Sequence, residues 1–148
     1  MAAKVLVLNG PNLNLLGERE PEIYGRETLK DIGAACKKHG KSLGLDVTCQ
    51  QSNIEGELVT LIQKARKTHD CIIVNAGAYT HTSIAMLDAL RASDLPVIEV
   101  HLSNIQKRES YRHHSYIAQV AVGTIAGFGS HGYQLALEAA ARLVAKKR

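Results

Sequence analysis

The sequence predicts an α/β fold in which five parallel strands form one sheet with helices on both faces, in the flavodoxin-like order 2-1-3-4-5. Three observations carry that prediction. Strand-like and helix-like stretches alternate about five times along the chain. Several of the strand-like stretches are short, continuous apolar runs, the signature of strands buried on both faces. The first, third and fourth of these runs stop abruptly at Asn, Gly or other polar residues, so that chemistry collects where strands end. The chain of 148 residues is long enough for one domain with a real core, and 1–148 is expected to be a single flavodoxin-like domain.

Taken in order, residues 4–9 form the first strand, with Val5, Leu6, Val7 and Leu8 as its apolar run. Asn9-Gly10-Pro11-Asn12 is a turn signal. A long loop rich in Gly, Pro, Asn and charge then runs to Gly25, and a loop of that length in a compact domain is usually functional. Thr28 and Asp31 have the spacing of a capping box and open a helix to about Leu43, weakened by Gly33. Residues 45–50 read as the second strand. Ser52 and Glu55 suggest another capping box, before a helix whose face is Ile54, Leu58, Leu61, Ile62 and Ala65. Cys71-Ile72-Ile73-Val74 is the third strand, and 83–92 a helix. The fourth strand starts after Pro96 with Val97, Ile98 and Val100. The polar segment 104–115 suggests one helical turn, 117–126 the fifth strand, and the Ala- and Leu-rich stretch 133–147 the last helix.

Composition narrows the function. No apolar run approaches the ~20 residues of a membrane span, and Met1 leads directly into a strand with no signal-peptide pattern. Three cysteines at spacings that match no metal pattern read as small buried hydrophobes, which points to a reducing cytoplasm. The net charge is +4, but no aromatic residues interleave the basic ones and no nucleic-acid module is present, so a small anionic substrate fits better than nucleic acid. The seven histidines include no H-E-x-x-H pair and no thiolate companion, so neither a metal nor any other cofactor is expected. Gly127-Phe-Gly-Ser-His-Gly132 matches G-x-G-x-x-G, yet the chain ends before the acidic residue that a dinucleotide site needs, and the motif reads as a tight turn with close helix packing.

The polar residues at the strand ends should converge. In a sheet of this order, ligands bind beyond the carboxyl ends at the switch between strands 1 and 3. Those ends carry residues 9–14, 75–81 and 101–104. Glu99 and His101 are two residues apart on the fourth strand and therefore point to the same side. A carboxylate beside an imidazole fixes its tautomer and favours the imidazolium, making a general acid. Taken alone, the pair fits equally a histidine satisfied by a local carboxylate. The charged loop Glu18–Gly25 looks like a lid, in which Arg19 could stabilise the phenolate of Tyr24; otherwise Tyr24 is simply exposed. A non-catalytic flavodoxin-like module binding a nucleotide or phosphate is the alternative reading.

Several linked motifs then resemble one family over essentially the whole chain. They are Asn9-Gly-Pro-Asn-Leu-Asn-Leu-Leu-Gly17, Arg19-Glu-Pro-Glu-Ile-Tyr-Gly25, Gln51-Ser-Asn-Ile-Glu-Gly-Glu57, Asn75-Ala-Gly-Ala-Tyr-Thr-His-Thr-Ser83 and Glu99-Val-His-Leu-Ser-Asn104, with Arg108-Glu109, Arg112 and Gly127-Phe-Gly129. The resemblance is to type II 3-dehydroquinate dehydratase, or type II dehydroquinase. It implies dehydration of 3-dehydroquinate to 3-dehydroshikimate, in the shikimate pathway or in quinate breakdown, without metal or Schiff-base lysine. By resemblance Tyr24 is the base, with Arg19 and Arg108 lowering its pKa, and His101 is the acid, oriented by Glu99. Asn12 stabilises the enolate through a water. Asn75, the backbone N–H groups of Leu102 and Ser103, and the Ser103 hydroxyl hold the substrate carboxylate, while His81 and Arg112 contact hydroxyls. Asp88, an ordinary solvated helix residue on its sequence context alone, corresponds to a residue given to a neighbouring subunit's site. The resemblance also implies a homo-oligomer, trimers assembling into a dodecamer. Gln106 and Tyr111 depart from the family's usual histidine and phenylalanine at positions that carry no catalytic role.

Overall fold

The computed structural model describes residues 1–18, 20–24 and 26–147, and the side chains of Ile23, Tyr24 and Lys147 lie outside the description. In chain order the elements are β1 (Ala3–Asn9), α1 (Pro21–Tyr24), α2 (Leu29–Ser42), β2 (Leu45–Gln51), α3 (Glu55–Thr68), β3 (Cys71–Asn75), α4 (Ile84–Ser93), β4 (Val97–His101), β5 (Gly123–Ala126) and α5 (His131–Lys147), with short 3₁₀ turns between them. The five strands form one sheet in the order β2-β1-β3-β4-β5. Every neighbouring pair is parallel.

Strand alternation divides the core in two. Val5, Val7, Ile73, Ile98 and Val100 point to one face, where they pack with Ile32 and Cys36 of α2 and Tyr133, Ala136 and Leu137 of α5. Leu6, Leu8, Ile72, Val74 and Val97 point to the other, against Leu58 and Ile62 of α3 and Met86 and Leu90 of α4. The sheet is thus covered on both sides, which is why β3 reads as an unbroken apolar run: all five of its residues are buried. Full burial of a side chain such as Ile72 or Ile73 contributes about 1.5–3 kcal/mol.

The first capping box forms as expected. Thr28 Oγ1 accepts from the Asp31 N–H, and the Asp31 carboxylate accepts from the Thr28 N–H. The second does not. The N-cap of α3 is Ile54, which makes no side-chain capping bond. Ser52 directly follows β2, and its hydroxyl accepts from the Ile54 N–H and donates to Glu57 rather than to Glu55.

The expected fifth strand over 117–126 is shortened to Gly123–Ala126. Its partner β4 has only five residues, and pairing runs from Ile98↔Gly123 to His101↔Ala126. Upstream, the Ser115 hydroxyl accepts from the Ala118 N–H and starts a 3₁₀ turn, Ile117–Gln119. That turn plants Ile117 in the core on the α3–α4 side. The segment 104–115 holds two 3₁₀ turns rather than one helical turn, Ile105–Lys107 and Ser110–Arg112. The long loop after β1 contains a further turn, Leu13–Leu15, and α1.

Candidate active site

The carboxyl ends of β1, β3 and β4 build one cleft of about 180 Å³. At about 30 Å³ per water molecule, that holds roughly six waters or one small organic acid. Its lining includes Asn12 and Leu13 from the loop after β1, Asn75 and His81 from β3 and the turn after it, His101, Leu102 and Ser103 from the end of β4, and Arg108 and Arg112 from the two turns that follow. The expected convergence of the three strand ends is therefore observed.

Close approach of β1 and β3 depends on Gly10. Its N–H donates to the Asn75 carbonyl at 2.8 Å. A Cβ there would run into the Ala76 carbonyl, whose carbon would lie at 2.6 Å, so no other residue fits. Asn12 follows with φ 68°, the left-handed conformation that Asn tolerates better than most side chains. Its N–H donates to Asn53 Oδ1 at 2.9 Å. Gln51 Nε2 donates to the same oxygen and to the Gly10 carbonyl, both at 3.1 Å. The end of β2 therefore supports the Asn12 loop, a role for Gln51 and Asn53 that the sequence reading had not given them.

Glu99 and His101 lie side by side on β4, as their spacing requires. Glu99 is fully buried, and His101 is 5% exposed. His101 Nε2 meets Glu99 Oε2 at 2.5 Å. The same oxygen accepts from Ser115 Oγ at 2.6 Å, and Oε1 accepts from Thr124 Oγ1 at 2.9 Å. Burial pushes the Glu99 carboxyl up, but the bonds from His101 and Ser115, the His101 charge and the Thr124 bond outweigh it, and the group titrates below its ordinary value. The carboxylate is thus ionised at neutral pH. His101 Nδ1 has no hydrogen-bond partner among the described residues, and the ring lines the cleft.

His81 is fixed in the opposite sense. Its Nδ1 lies 2.8 Å from the His114 carbonyl, an acceptor only, so Nδ1 carries the proton and Nε2 keeps its lone pair. Burial, together with the charges of His101 and Arg112, holds the ring below the usual histidine range, against opposing effects from the His114 carbonyl and Glu99. Arg112 Nε donates to Glu109 Oε2 at 2.6 Å, and Arg108 donates to Ser103 Oγ at 3.4 Å. No carboxylate is among the described residues that line the cleft. Two guanidinium groups in the wall, Arg112 also bonded to Glu109 behind it, favour a small anion.

The remaining expected site residues lie elsewhere. Asp88 is exposed on α4 and does not line this cleft. Arg19 lies outside the described residues. Tyr24 is the last residue of α1, and its side chain lies outside the description. The residues that support Glu99, Ser115 and Thr124, were not among the sequence candidates. Only the serine's place just before an apolar turn hints at its capping of Ala118.

Among the described residues, no group of three or more His, Cys, Asp or Glu side chains is arranged to hold a metal ion. No helix among them is long and apolar enough to cross a membrane. Cys36 and Cys71 are buried and Cys49 half-buried, with no disulfide among them. Burial, with a smaller effect from Cys49, pushes the Cys36 thiol up to about 12.

Comparison with known proteins agrees with this geometry. A family model described as "Dehydroquinase class II" matches residues 3–141. A 3-dehydroquinate dehydratase of Ruegeria pomeroyi is 60% identical over 137 residues, which are 93% of this chain and 92% of the relative. 3-Dehydroquinate dehydratase 2 of Pseudomonas putida is 52% identical over 147 residues, 99% of each chain. The crystal structure of a type II dehydroquinase from Propionibacterium acnes superposes with a TM-score of 0.92 at 45% identity, covering 96% of this chain and 98% of the other.

Proposed function

Because the chain belongs to the dehydroquinase class II family, we propose a division of labour among its site residues for the dehydration of 3-dehydroquinate to 3-dehydroshikimate. The protein is a dehydratase of the shikimate pathway, a hydro-lyase. The reaction takes a proton from the carbon beside a ketone and a hydroxyl from the next carbon. It leaves a double bond conjugated with the ketone, and one water.

Tyr24, as its phenolate, is the base that takes the proton. An unperturbed phenol has a pKa of about 10, and the charges of Arg19 and Arg108 lower it. The electron pair of the broken C–H bond moves onto the ketone oxygen as an enolate, which Asn12 stabilises through a water. When the enolate collapses, the pair forms the new double bond and the C–O bond breaks on the opposite face, an anti elimination. His101 protonates the departing hydroxyl, and Glu99 balances the charge of the imidazolium. Asn75, the backbone N–H groups of Leu102 and Ser103 and the Ser103 hydroxyl hold the carboxylate. Arg112 and the Nε2 lone pair of His81 contact hydroxyls. Asp88 serves the site of a neighbouring subunit in a trimer, and the trimers assemble into a dodecamer. The whole chain acts as one catalytic unit in the cytoplasm, without metal or other cofactor.

The observation that carries this chemistry is the buried Glu99–His101 pair opening on a cleft walled by Arg108 and Arg112. A nucleotide- or phosphate-binding module would leave that pair without a purpose. The test is the ultraviolet absorbance of the purified protein mixed with 3-dehydroquinate. A conjugated enone should accumulate to the amount of substrate consumed. A folded protein that binds the substrate and forms no enone would refute the reading.

A further inference from the structure

The glycine motif at 127–132 has so far no part in the site, yet it sets a buried side chain behind one of the residues that line it. Gly127, at φ 97°, donates its N–H to the His101 carbonyl, and Gly129, at φ 59°, donates to the Leu102 carbonyl at 3.0 Å. Both conformations favour glycine. The loop is thereby clipped to the end of β4, and α5 begins directly above the sheet. Its third residue is Tyr133, 1% exposed and the largest fully buried side chain among the described residues.

The phenol of Tyr133 lies between two strand ends. It is 2.6 Å from Asn9 Oδ1 at the end of β1 and 3.0 Å from Asn75 Nδ2 at the end of β3. The direction of each bond can be assigned. The Gly77 N–H can only donate, so the Asn75 atom facing it at 3.2 Å is the carbonyl oxygen. The Asn75 amide nitrogen therefore faces the phenol and donates to it. The phenol has one hydrogen, which goes to Asn9 Oδ1. Burial pushes the Tyr133 hydroxyl up, against the smaller effect of the Asn75 bond, so the phenol keeps its hydrogen throughout the neutral range. The second hydrogen of Asn75 Nδ2 has no protein partner among the described residues, and Asn75 lines the cleft.

We propose that Tyr133 is a positioning residue for substrate binding, which locks the Asn75 amide so that its second N–H is presented to the substrate carboxylate. This rests on the assignment of Asn75 to the carboxylate made above. Without the phenol, the amide nitrogen would lose its anchor, the Gly77 bond alone would hold the group, and the donor would be spread over several orientations. The effect belongs to binding, because the reacting C–H and C–O bonds lie elsewhere on the substrate.

The test is a double-mutant cycle on KM and kcat with Tyr133→Phe, Asn75→Ala and the combination. Tyr133→Phe should raise KM for 3-dehydroquinate about tenfold, the scale of one charge-assisted hydrogen bond weakened, with kcat changed less than threefold. Asn75→Ala should raise KM at least as much. The double mutant should match Asn75→Ala alone, because Tyr133 acts only through Asn75. If Asn75→Ala leaves KM unchanged, the carboxylate assignment is wrong and the proposal falls with it. If Asn75→Ala raises KM but Tyr133→Phe does not, or if the two effects multiply in the double mutant, the carboxylate assignment stands and the positioning role is overturned. Should Tyr133→Phe fail to fold, Asn9→Leu removes the acceptor that orients the phenol. It should show the same rise in KM and the same loss of additivity with Asn75→Ala, and an unchanged KM would overturn the proposal.

Discussion

Replacing Glu99 by glutamine keeps the shape of the side chain and removes its charge. The carboxylate accepts from His101, Ser115 and Thr124, and all three bonds are inside the protein. A glutamine offers one acceptor oxygen and one amide nitrogen. If its oxygen keeps the Thr124 hydroxyl, its nitrogen replaces Oε2 and presents hydrogens to His101 Nε2 and Ser115 Oγ. His101 must then accept at Nε2, and no negative charge faces its imidazolium. A hydrogen bond to a charged group contributes about 1.5–3 kcal/mol, and each 1.36 kcal/mol is tenfold in rate. Glu99→Gln should therefore lower kcat about 10- to 100-fold. His101→Ala, which removes the acid itself, should cost more, about 10²–10⁴-fold. Stability supplies a second readout. The folded protein holds the Glu99 proton more weakly than the unfolded chain does, since the carboxyl is depressed on folding. The resulting stability is present above the unfolded value of about 4.3 and is lost as pH falls through the folded value. Thermal melts of Glu99→Gln across the acid range should lack that part of the loss. Enone absorbance across the same range gives kcat. A well-folded Glu99→Gln protein with kcat within twofold of wild type at every pH would refute the charge-balancing role.

Tyr24→Phe should cut kcat by about 10²–10⁴-fold and abolish exchange of the substrate's α-proton with solvent, read by mass or NMR, whereas His101→Ala should retain exchange because proton removal comes first. Exchange at the wild-type rate in Tyr24→Phe would exclude it as the base. Arg19→Ala should move the rise of activity to higher pH, as the Tyr24 phenol returns toward about 10, and the Arg19–Arg108 double mutant should move it further. Tyr24→Phe and Asp88→Ala proteins, each inactive alone, should recover activity when unfolded together and refolded as hybrid oligomers; hybrids confirmed by mass but inactive would show that Asp88 does not serve a neighbour. Activity should survive EDTA, and also borohydride in the presence of substrate, and loss under either treatment would count against the mechanism.

The layout of the sheet was legible because it rests on local signals. Val5–Leu8 and Cys71–Val74 are apolar runs, and Val97, Ile98 and Val100 make a third interrupted only by Glu99; such stretches are satisfied between two helical layers, and the alternation then dictates parallel crossovers. The Glu99–His101 pair was legible from a spacing of two. What sequence reading missed is held by side-chain bonds over long separations. Tyr133 and Asn9 are 124 residues apart, and Thr124 and Glu99 are 25 apart. Neither tyrosine nor threonine announces such a partner. The shortened β5 was hidden because 117–126 is mostly apolar, broken only by Gln119, Gly123 and Thr124. Its first half begins in a turn that buries Ile117 on the α3–α4 side, and β4 offers no backbone for it to pair with.

The order of the strands in space differs from their order of synthesis, and this bears on when the protein can first work. On the ribosome β1 is made before its partners, yet it lies inside the sheet and meets β3 only after some sixty more residues have emerged. Glu99 then waits for Thr124 on β5, and the phenol that joins the ends of β1 and β3 arrives with α5, after β5. A nascent chain halted before α5 would carry the cleft's histidines and arginines with Asn9 and Asn75 unbridged, and with that face of the sheet covered by α2 alone. Such a chain is a candidate for chaperone capture rather than a slow enzyme. Appearance of turnover during synchronised translation would thus mark emergence of α5.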